Sequence, residues 1–200
     1  MSSRQAPTFY ILHGEDEFSR KAEVLAIRAR MGDPTTAQLN TSQYDGKTAS
    51  AAAVVAAAQN MPFLSDKRMV IVDGMLVWLA RKGAGKTGKA ELDYLVNALP
   101  NLPDYARLVF VESETLPDSH PVLKLLKQEP GAYAKVFNPP QNAAPWIGKQ
   151  VEHYGGKIEP QAAAALAAVI TEGVGRDAKA NLRAADSECI KLVTYVGGER

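Results

Sequence analysis

The run Gly83-Ala84-Gly85-Lys86-Thr87 has the residue types that end a phosphate-binding loop, in which glycine amides cradle phosphate and a lysine reaches the terminal phosphates. Upstream, Val70-Ile71-Val72-Asp73-Gly74 resembles the strand that carries a magnesium-binding aspartate in ATPases. Together they define one reading of the chain, a P-loop NTPase using residues 83–87 with Asp73 on magnesium. Two features weigh against it. The loop pattern asks for a glycine where Ala80 stands, and the run follows a helix-like segment, 75–79, instead of leaving a strand directly. Arg81, Lys82, Lys86 and Lys89 have no acid between them, so the same stretch also reads as a basic loop for a DNA backbone, or as an ordinary solvated loop. An Asp-Gly turn is the simpler account of Asp73.

In an α/β nucleotide-binding fold the phosphate site belongs at the turn after the first strand, where a helix N-terminus supplies amides and a positive dipole end. Here that turn reads His13-Gly14-Glu15-Asp16-Glu17-Phe18-Ser19-Arg20. Its three acids repel a triphosphate, and the same acids suit the first turn of a helix. His13, His120 and His153 show no ligand spacing among themselves or with Cys189. No serine lies in a Gly-x-Ser-x-Gly elbow, and no acidic pair of the two-metal kind is visible. These residues point to no catalytic centre, no metal site and no cofactor.

Hydrophobic periodicity predicts the elements that position these residues. Thr8-Phe9-Tyr10-Ile11-Leu12 is a compact strand, and 16–30 follows as a helix with Phe18, Ala22, Leu25 and Ala29 at helical spacing. A short strand is expected within 37–43, an alanine-rich helix over 49–60, and a strand at Met69-Val70-Ile71-Val72. After a Gly/Lys-rich stretch come a helix over 91–99, a buried strand Arg107-Leu108-Val109-Phe110-Val111, a helix over 121–127 and a strand Ala134-Lys135-Val136-Phe137. Strands alternating with helices predict a mainly parallel sheet covered on both faces. Asn138-Pro139-Pro140-Gln141-Asn142 breaks the pattern, and beyond it only three helices are expected, over 144–154, 160–171 and 177–195. The expected organisation is an α/β domain over 1–140 and a small helical bundle over 141–200.

Composition narrows the function classes. A chain of 200 residues, 46% hydrophobic and 22% charged, is no disordered protein and has the length for a medium domain plus a small one. A net charge of +1 supplies no long-range field, so any nucleic-acid contact must be local. Its single cysteine excludes an internal disulfide and fits a reducing compartment. No apolar run reaches membrane-span length and the start lacks a signal-peptide core, so the expected location is cytoplasmic, with no membrane partner.

Between the helix over 49–60 and the strand from Met69 lies Met61-Pro62-Phe63-Leu64-Ser65-Asp66-Lys67-Arg68. Phe63 and Leu64 would each contribute roughly 1.5–3 kcal/mol if buried. They either join the core, which spacing alone favours, or are offered to a partner. Here the residues become specific. This run, with Tyr10-Ile11-Leu12-His13-Gly14 and Phe18, Arg107-Leu108-Val109-Phe110, and Glu188-Cys189-Ile190-Lys191-Leu192-Val193-Thr194-Tyr195-Val196-Gly197-Gly198, resembles the delta subunit of the bacterial DNA polymerase III clamp loader over nearly all of the chain.

The resemblance implies an AAA+-like (RecA-type) parallel-sheet domain and a small three-helix lid domain, in a member that is not an ATPase. It implies that Phe63 and Leu64 insert into a hydrophobic pocket of the sliding clamp, the beta subunit. Gln59, Met61 and Pro62 belong to the same element and Lys67 and Arg68 flank it. A neighbouring helix then distorts the clamp near its dimer interface and the ring opens. ATP enters through partner ATPase subunits, which assemble with a delta-prime-like subunit, and primed DNA is met through the complex. DNA-directed DNA polymerase (nucleotidyltransferase) activity would describe the holoenzyme and not this chain. The family's third, helical collar domain would begin where this chain stops, at Glu199-Arg200; clamp binding is expected to survive without it, whereas stable loader assembly is not assured. Loop 81–89 is longer and richer in glycine than the family pattern implies.

Overall fold

Five short apolar runs build one parallel sheet. The structure, a computed structural model, describes residues 6–81, 85–126, 128–129, 131–172 and 179–197. The strands are β1 (Phe9–His13), β2 (Thr41–Asp45), β3 (Arg68–Asp73), β4 (Ala106–Glu112) and β5 (Ala132–Val136), in the spatial order β2-β3-β4-β1-β5 with every pairing parallel. Parallel neighbours need crossovers, and helices supply them: α1 (Glu17–Ala29), α2 (Pro34–Leu39), α3 (Ala51–Gln59), α4 (Met75–Ala80), α5 (Gly85–Ala98) and α6 (Pro121–Leu125).

Strand alternation sends successive side chains to opposite faces. Phe9, Ile11, Val70, Val72, Leu108 and Phe110 form one core with Val54, Leu76, Leu95 and Val122 from α3, α4, α5 and α6. Tyr10, Leu12, Met69, Ile71, Val109 and Val111 form the other with Ile27, Met31 and Ala37, from α1 and the segment through α2. The fold is therefore the expected α/β sheet with helices on both faces. Helix starts follow local chemistry: Asp16, Asp33 and Ser50 accept from the Ser19, Thr36 and Ala53 amides at 2.9, 2.9 and 3.2 Å.

Three elements depart from expectation. Residues 37–39 are helical, because Asp33-Pro34 is a cap followed by a first-turn proline, and the strand begins only at Thr41. α5 starts at Gly85, so Lys86 and Lys89 lie on a helix instead of a loop. The third departure lies after Phe137, where a second compact unit begins at Asn138. It contains α7 (Ala144–His153), α8 (Pro160–Val169) and α9 (Leu182–Gly197), and also an antiparallel pair that was not expected, β6 (Thr171–Glu172) with β7 (Lys179–Ala180). That pairing claims residues assigned to the third helix, which therefore begins at Leu182. Within this unit Asp186 of α9 accepts from Gln150 at 2.6 Å and from the Tyr154 hydroxyl at 2.7 Å, tying α7 to α9 over buried Ile147, Val151, Ala185 and Cys189.

Gly14, just past β1, has φ +123°, and a Cβ there would stand 2.1 Å from the Phe137 carbonyl oxygen. Backbone strain and a clash with main chain act together. Gly14→Ala is expected to cost about 3 kcal/mol or more in urea unfolding; a loss below 1 kcal/mol would show that the Phe137 segment can move aside.

Candidate functional site

α3 delivers the chain to the start of β3 through an exposed tip. Its alanines permit close packing under the sheet, and its N-terminus is held by Ser50 and by the Glu91 carboxylate, which accepts from the Ala51 amide. The helix ends at Gln59, Asn60 turns extended, and Pro62 prevents continuation. Met61, Phe63 and Leu64 are then 83%, 65% and 79% exposed. Gln59 is exposed and Pro62 half-buried. The core role that spacing alone favoured for Phe63 and Leu64 is thus corrected: β3 and α3 already fill the core, and the tip stands outside it.

The tip's backbone, unlike its side chains, is firmly held. Asn40, 1% exposed, accepts from the Phe63 amide at 2.6 Å and donates to the Phe63 carbonyl at 2.7 Å. The Tyr105 hydroxyl donates to the Gln59 carbonyl at 2.7 Å. Arg68 donates through Nε to the Ala57 carbonyl at 3.3 Å and through Nη2 to Ser42 Oγ at 2.8 Å. Leu64 has φ +50° and is the one non-glycine residue with positive φ among the described residues. Asn40 and Tyr105 were missed in the sequence, because each lies far along the chain from the residue it holds and neither belongs to a local motif.

At the opposite end of the strands, the turn where phosphate would bind is closed by the protein itself. The Gly14 amide donates to the Glu112 and Glu114 carbonyls, both at 3.2 Å, and the Asp16 amide to the Phe137 carbonyl at 2.9 Å. Asp16 takes the Ser19 amide. Amides that would cradle an anion are therefore spent on β4, on the exit of β5 and on a cap. His13 Nδ1 accepts from the Leu116 amide at 3.0 Å, and burial holds its pKa below the usual value. His120 likewise caps α6 by accepting from the Val122 amide, and burial lowers its pKa too.

Glu112 is fully buried at the end of β4 and caps α4, accepting from the Leu76 and Val77 amides at 2.8 and 3.1 Å. Burial pushes its pKa up to about 7; the two amides oppose this, nearby Asp73 adds to it and Arg20 offsets part of it.

The P-loop reading finds no support in the structure. α4 separates β3 from Gly85, and Lys86 and Thr87 lie in the first turn of α5. Asp73 accepts from Gln43 Nε2 at 2.8 Å, as a residue closing a strand end would. Lys82 and Gly83 lie outside the described residues. Arg81 pairs with Glu114 at 3.0 Å, while Lys86 and Lys89 are exposed on α5. No three His, Cys, Asp or Glu among the described residues are grouped to hold a metal, and no helix among them is long and apolar enough to cross a membrane.

Two predictions follow from this geometry. A raised Glu112 pKa means that the folded state binds its proton more tightly than the unfolded chain does. Its stabilising contribution is full below pH 4.5 and is lost as pH rises through about 7, amounting to about 3 kcal/mol. The buried histidines act in the opposite sense, so the readout is the difference between wild type and Glu112→Gln. That difference should shift by about 3 kcal/mol in the variant's favour from pH 4.5 to 7.5; a pH-independent difference would contradict the raised pKa. For the tip, Leu64→Gly removes left-handed strain without removing burial. It should leave urea stability unchanged or raise it by up to about 1 kcal/mol, whereas a clear loss would mean that the Leu64 side chain packs on its own protein.

Comparison with known proteins agrees with this architecture. The Bacillus subtilis DNA clamp loader delta protein is similar in structure, with a TM-score of 0.72 at 22% sequence identity, over 96% of this chain and 54% of that one. This chain therefore spans about half the length of that relative. A DNA polymerase III gamma subunit-related protein from Thermotoga maritima aligns with a TM-score of 0.44 and 14% identity, over 74% of this chain and 46% of its own. No curated protein matches the sequence. The family model described as DNA polymerase III, delta subunit, matches residues 10–137, well over half of the chain and nearly the whole of the sheet-bearing unit. With the parallel sheet from Tyr10 onward, the exposed tip and the closed turn inside that match, the chain belongs to the DNA polymerase III delta subunit family.

Proposed function

We propose that this chain binds and opens the sliding clamp, the beta subunit, for loading onto primed DNA during replication, without hydrolysing ATP. One observation carries the reading: Phe63 and Leu64 are displayed outside the core on a backbone that is itself held in place. Leaving two large apolar side chains in water forgoes roughly 3–6 kcal/mol of burial. A partner pocket recovers that energy, and it corresponds to about 10²- to 10⁴-fold in affinity. Met61 and Gln59 extend the same surface and Pro62 shapes it.

Opening requires only differential affinity. A subunit that binds the open ring more tightly than the closed one shifts the ring toward opening by that difference. ATP then acts through partner ATPase subunits, which suits a chain whose own strand-end turn spends its Gly14, Asp16 and Ser19 amides internally. In this reading residues 1–140 form the clamp-binding domain and 141–200 the lid domain, working in the cytoplasm beside a delta-prime-like subunit. Contact with primed DNA is assigned to Arg81, Lys82, Lys86 and Lys89, of which Lys86 and Lys89 are exposed on α5 and Arg81 pairs with Glu114 at the surface.

Calorimetric titration of the chain with the sliding clamp of the same organism tests the proposal. Phe63→Ala/Leu64→Ala should weaken binding by about 100-fold or more while the thermal midpoint stays within a few degrees, because both side chains are exposed. Equal binding by the double variant, or no binding by the wild type, would overturn it.

A further inference from the structure

The tip lies where three parallel strands begin. β2, β3 and β4 run in register, Thr41 beside Met69 and Arg68 beside Ala106, so the residues that enter them stand side by side. Asn40 immediately precedes β2 and Tyr105 immediately precedes β4. The segment they flank, which precedes β3, is the tip. Asn40 is anchored on its own account: its amide donates to the Thr36 carbonyl at 3.1 Å, and its carbonyl accepts from the Met69 amide at 2.9 Å. Its side-chain amide is fully used, with Nδ2 donating to the Thr36 carbonyl at 2.8 Å as well as to Phe63.

Both main-chain polar groups of Phe63 are thus paired with one buried side chain, while its ring remains outside. A residue held by its own backbone and not by its side chain cannot drift, and it keeps the whole side chain free for a partner. Leu64, next along, is held in a conformation that leucine disfavours, with no burial of its own to compensate. Strain of this kind persists where the surroundings over-determine it, and it marks a segment shaped for use.

We propose that Asn40 is a positioning residue for clamp binding: it pre-sets Phe63 and Leu64 in the conformation that enters the clamp. The inference rests on the clamp-binding reading above. The entropy of ordering the tip is then lost during folding and not again at association, so removing the brace weakens binding without removing a single contact with the clamp.

The test compares wild type, Asn40→Ala, Asn40→Asp and Phe63→Ala/Leu64→Ala by calorimetry against the same organism's clamp, well below each thermal midpoint. Asn40→Asp keeps the acceptor for the Phe63 amide and loses the donor to its carbonyl. Both Asn40 variants should raise Kd by about 10- to 100-fold. The heat-capacity change of binding should stay at the wild-type value, since the same apolar area is buried, and the loss should appear in the entropy. A purely structural Asn40 would lower the thermal midpoint and leave the Kd of the folded protein unchanged. A wild-type Kd in folded Asn40 variants, with binding still lost in the double variant, overturns the inference and leaves the clamp reading standing. Wild-type binding in the double variant, or none in the wild type, overturns both. Should neither Asn40 variant fold, amide exchange in the wild type decides: the Phe63 amide should exchange at least about 100-fold more slowly than an open peptide, and unprotected exchange overturns the brace.

Discussion

Three strands that start level with one another impose the constraint on which this molecule depends. Parallel pairing of β2, β3 and β4 brings their lead-in segments to one edge, where the Asn40 and Tyr105 carbonyls take the first amides of β3 and the main-chain groups of the tip lie beyond the ladder. Buried or half-buried polar groups must find partners. Here they find side chains from the neighbouring lead-ins: Asn40 on one flank, Tyr105 on the other, and Arg68 reaching back under α3. The tip is therefore a consequence of sheet geometry as much as of its own residues. Its rigidity comes from β-strand register, and its chemistry from two apolar side chains that register leaves outside.

The other edge of the sheet solves the same problem in the opposite way. There the strand ends would offer open amides, the usual invitation to phosphate. In this chain Phe137 crosses at Gly14, Asp16 caps α1, and Glu112 caps α4 from the end of β4. The amides of Gly14, Asp16, Ser19, Leu76 and Val77 are answered from within. The two ends differ: one is shut by buried polar pairing that uses histidine and glutamate, and the other displays exposed apolar side chains on a backbone that an asparagine holds. A single fold carries both because strand direction gives the two ends of a parallel sheet different unpaired groups.

Much of this was legible in the sequence, for reasons particular to the residues. β1, β3 and β4 are runs of large apolar and β-branched residues buried on both sides, a signal that survives without knowledge of neighbours. The tip announced itself through Pro62 and the paired Phe63 and Leu64, although spacing alone placed those two in the core. What failed was non-local or short. α2 is a single capped stretch whose Ala37 serves helix and core equally, so it read as strand. β6 and β7 pair over two residues each, too few to alternate. The lysines of α5 looked like a loop because glycines surround them, and glycine is tolerated at a helix start where local propensity predicts none. Asn40 carried no mark at all, since its role exists only once β2 lies beside β3.

β3 leaves the tip and runs straight through the middle of the sheet, hydrogen-bonded to β2 on one side and β4 on the other. A tug on Phe63 or Leu64 along that direction loads both ladders lengthwise. All their rungs resist together, and none can be unzipped singly from an end. Six residues of strand span about 20 Å, so the load is spread over nearly the full height of the sheet before it reaches any helix. The arrangement is that of a pulling rod set in a matrix, stiff along its axis. In the clamp-opening role proposed above the tip bears load along that direction, and its placement at the head of a doubly paired strand supplies the mechanical strength for it.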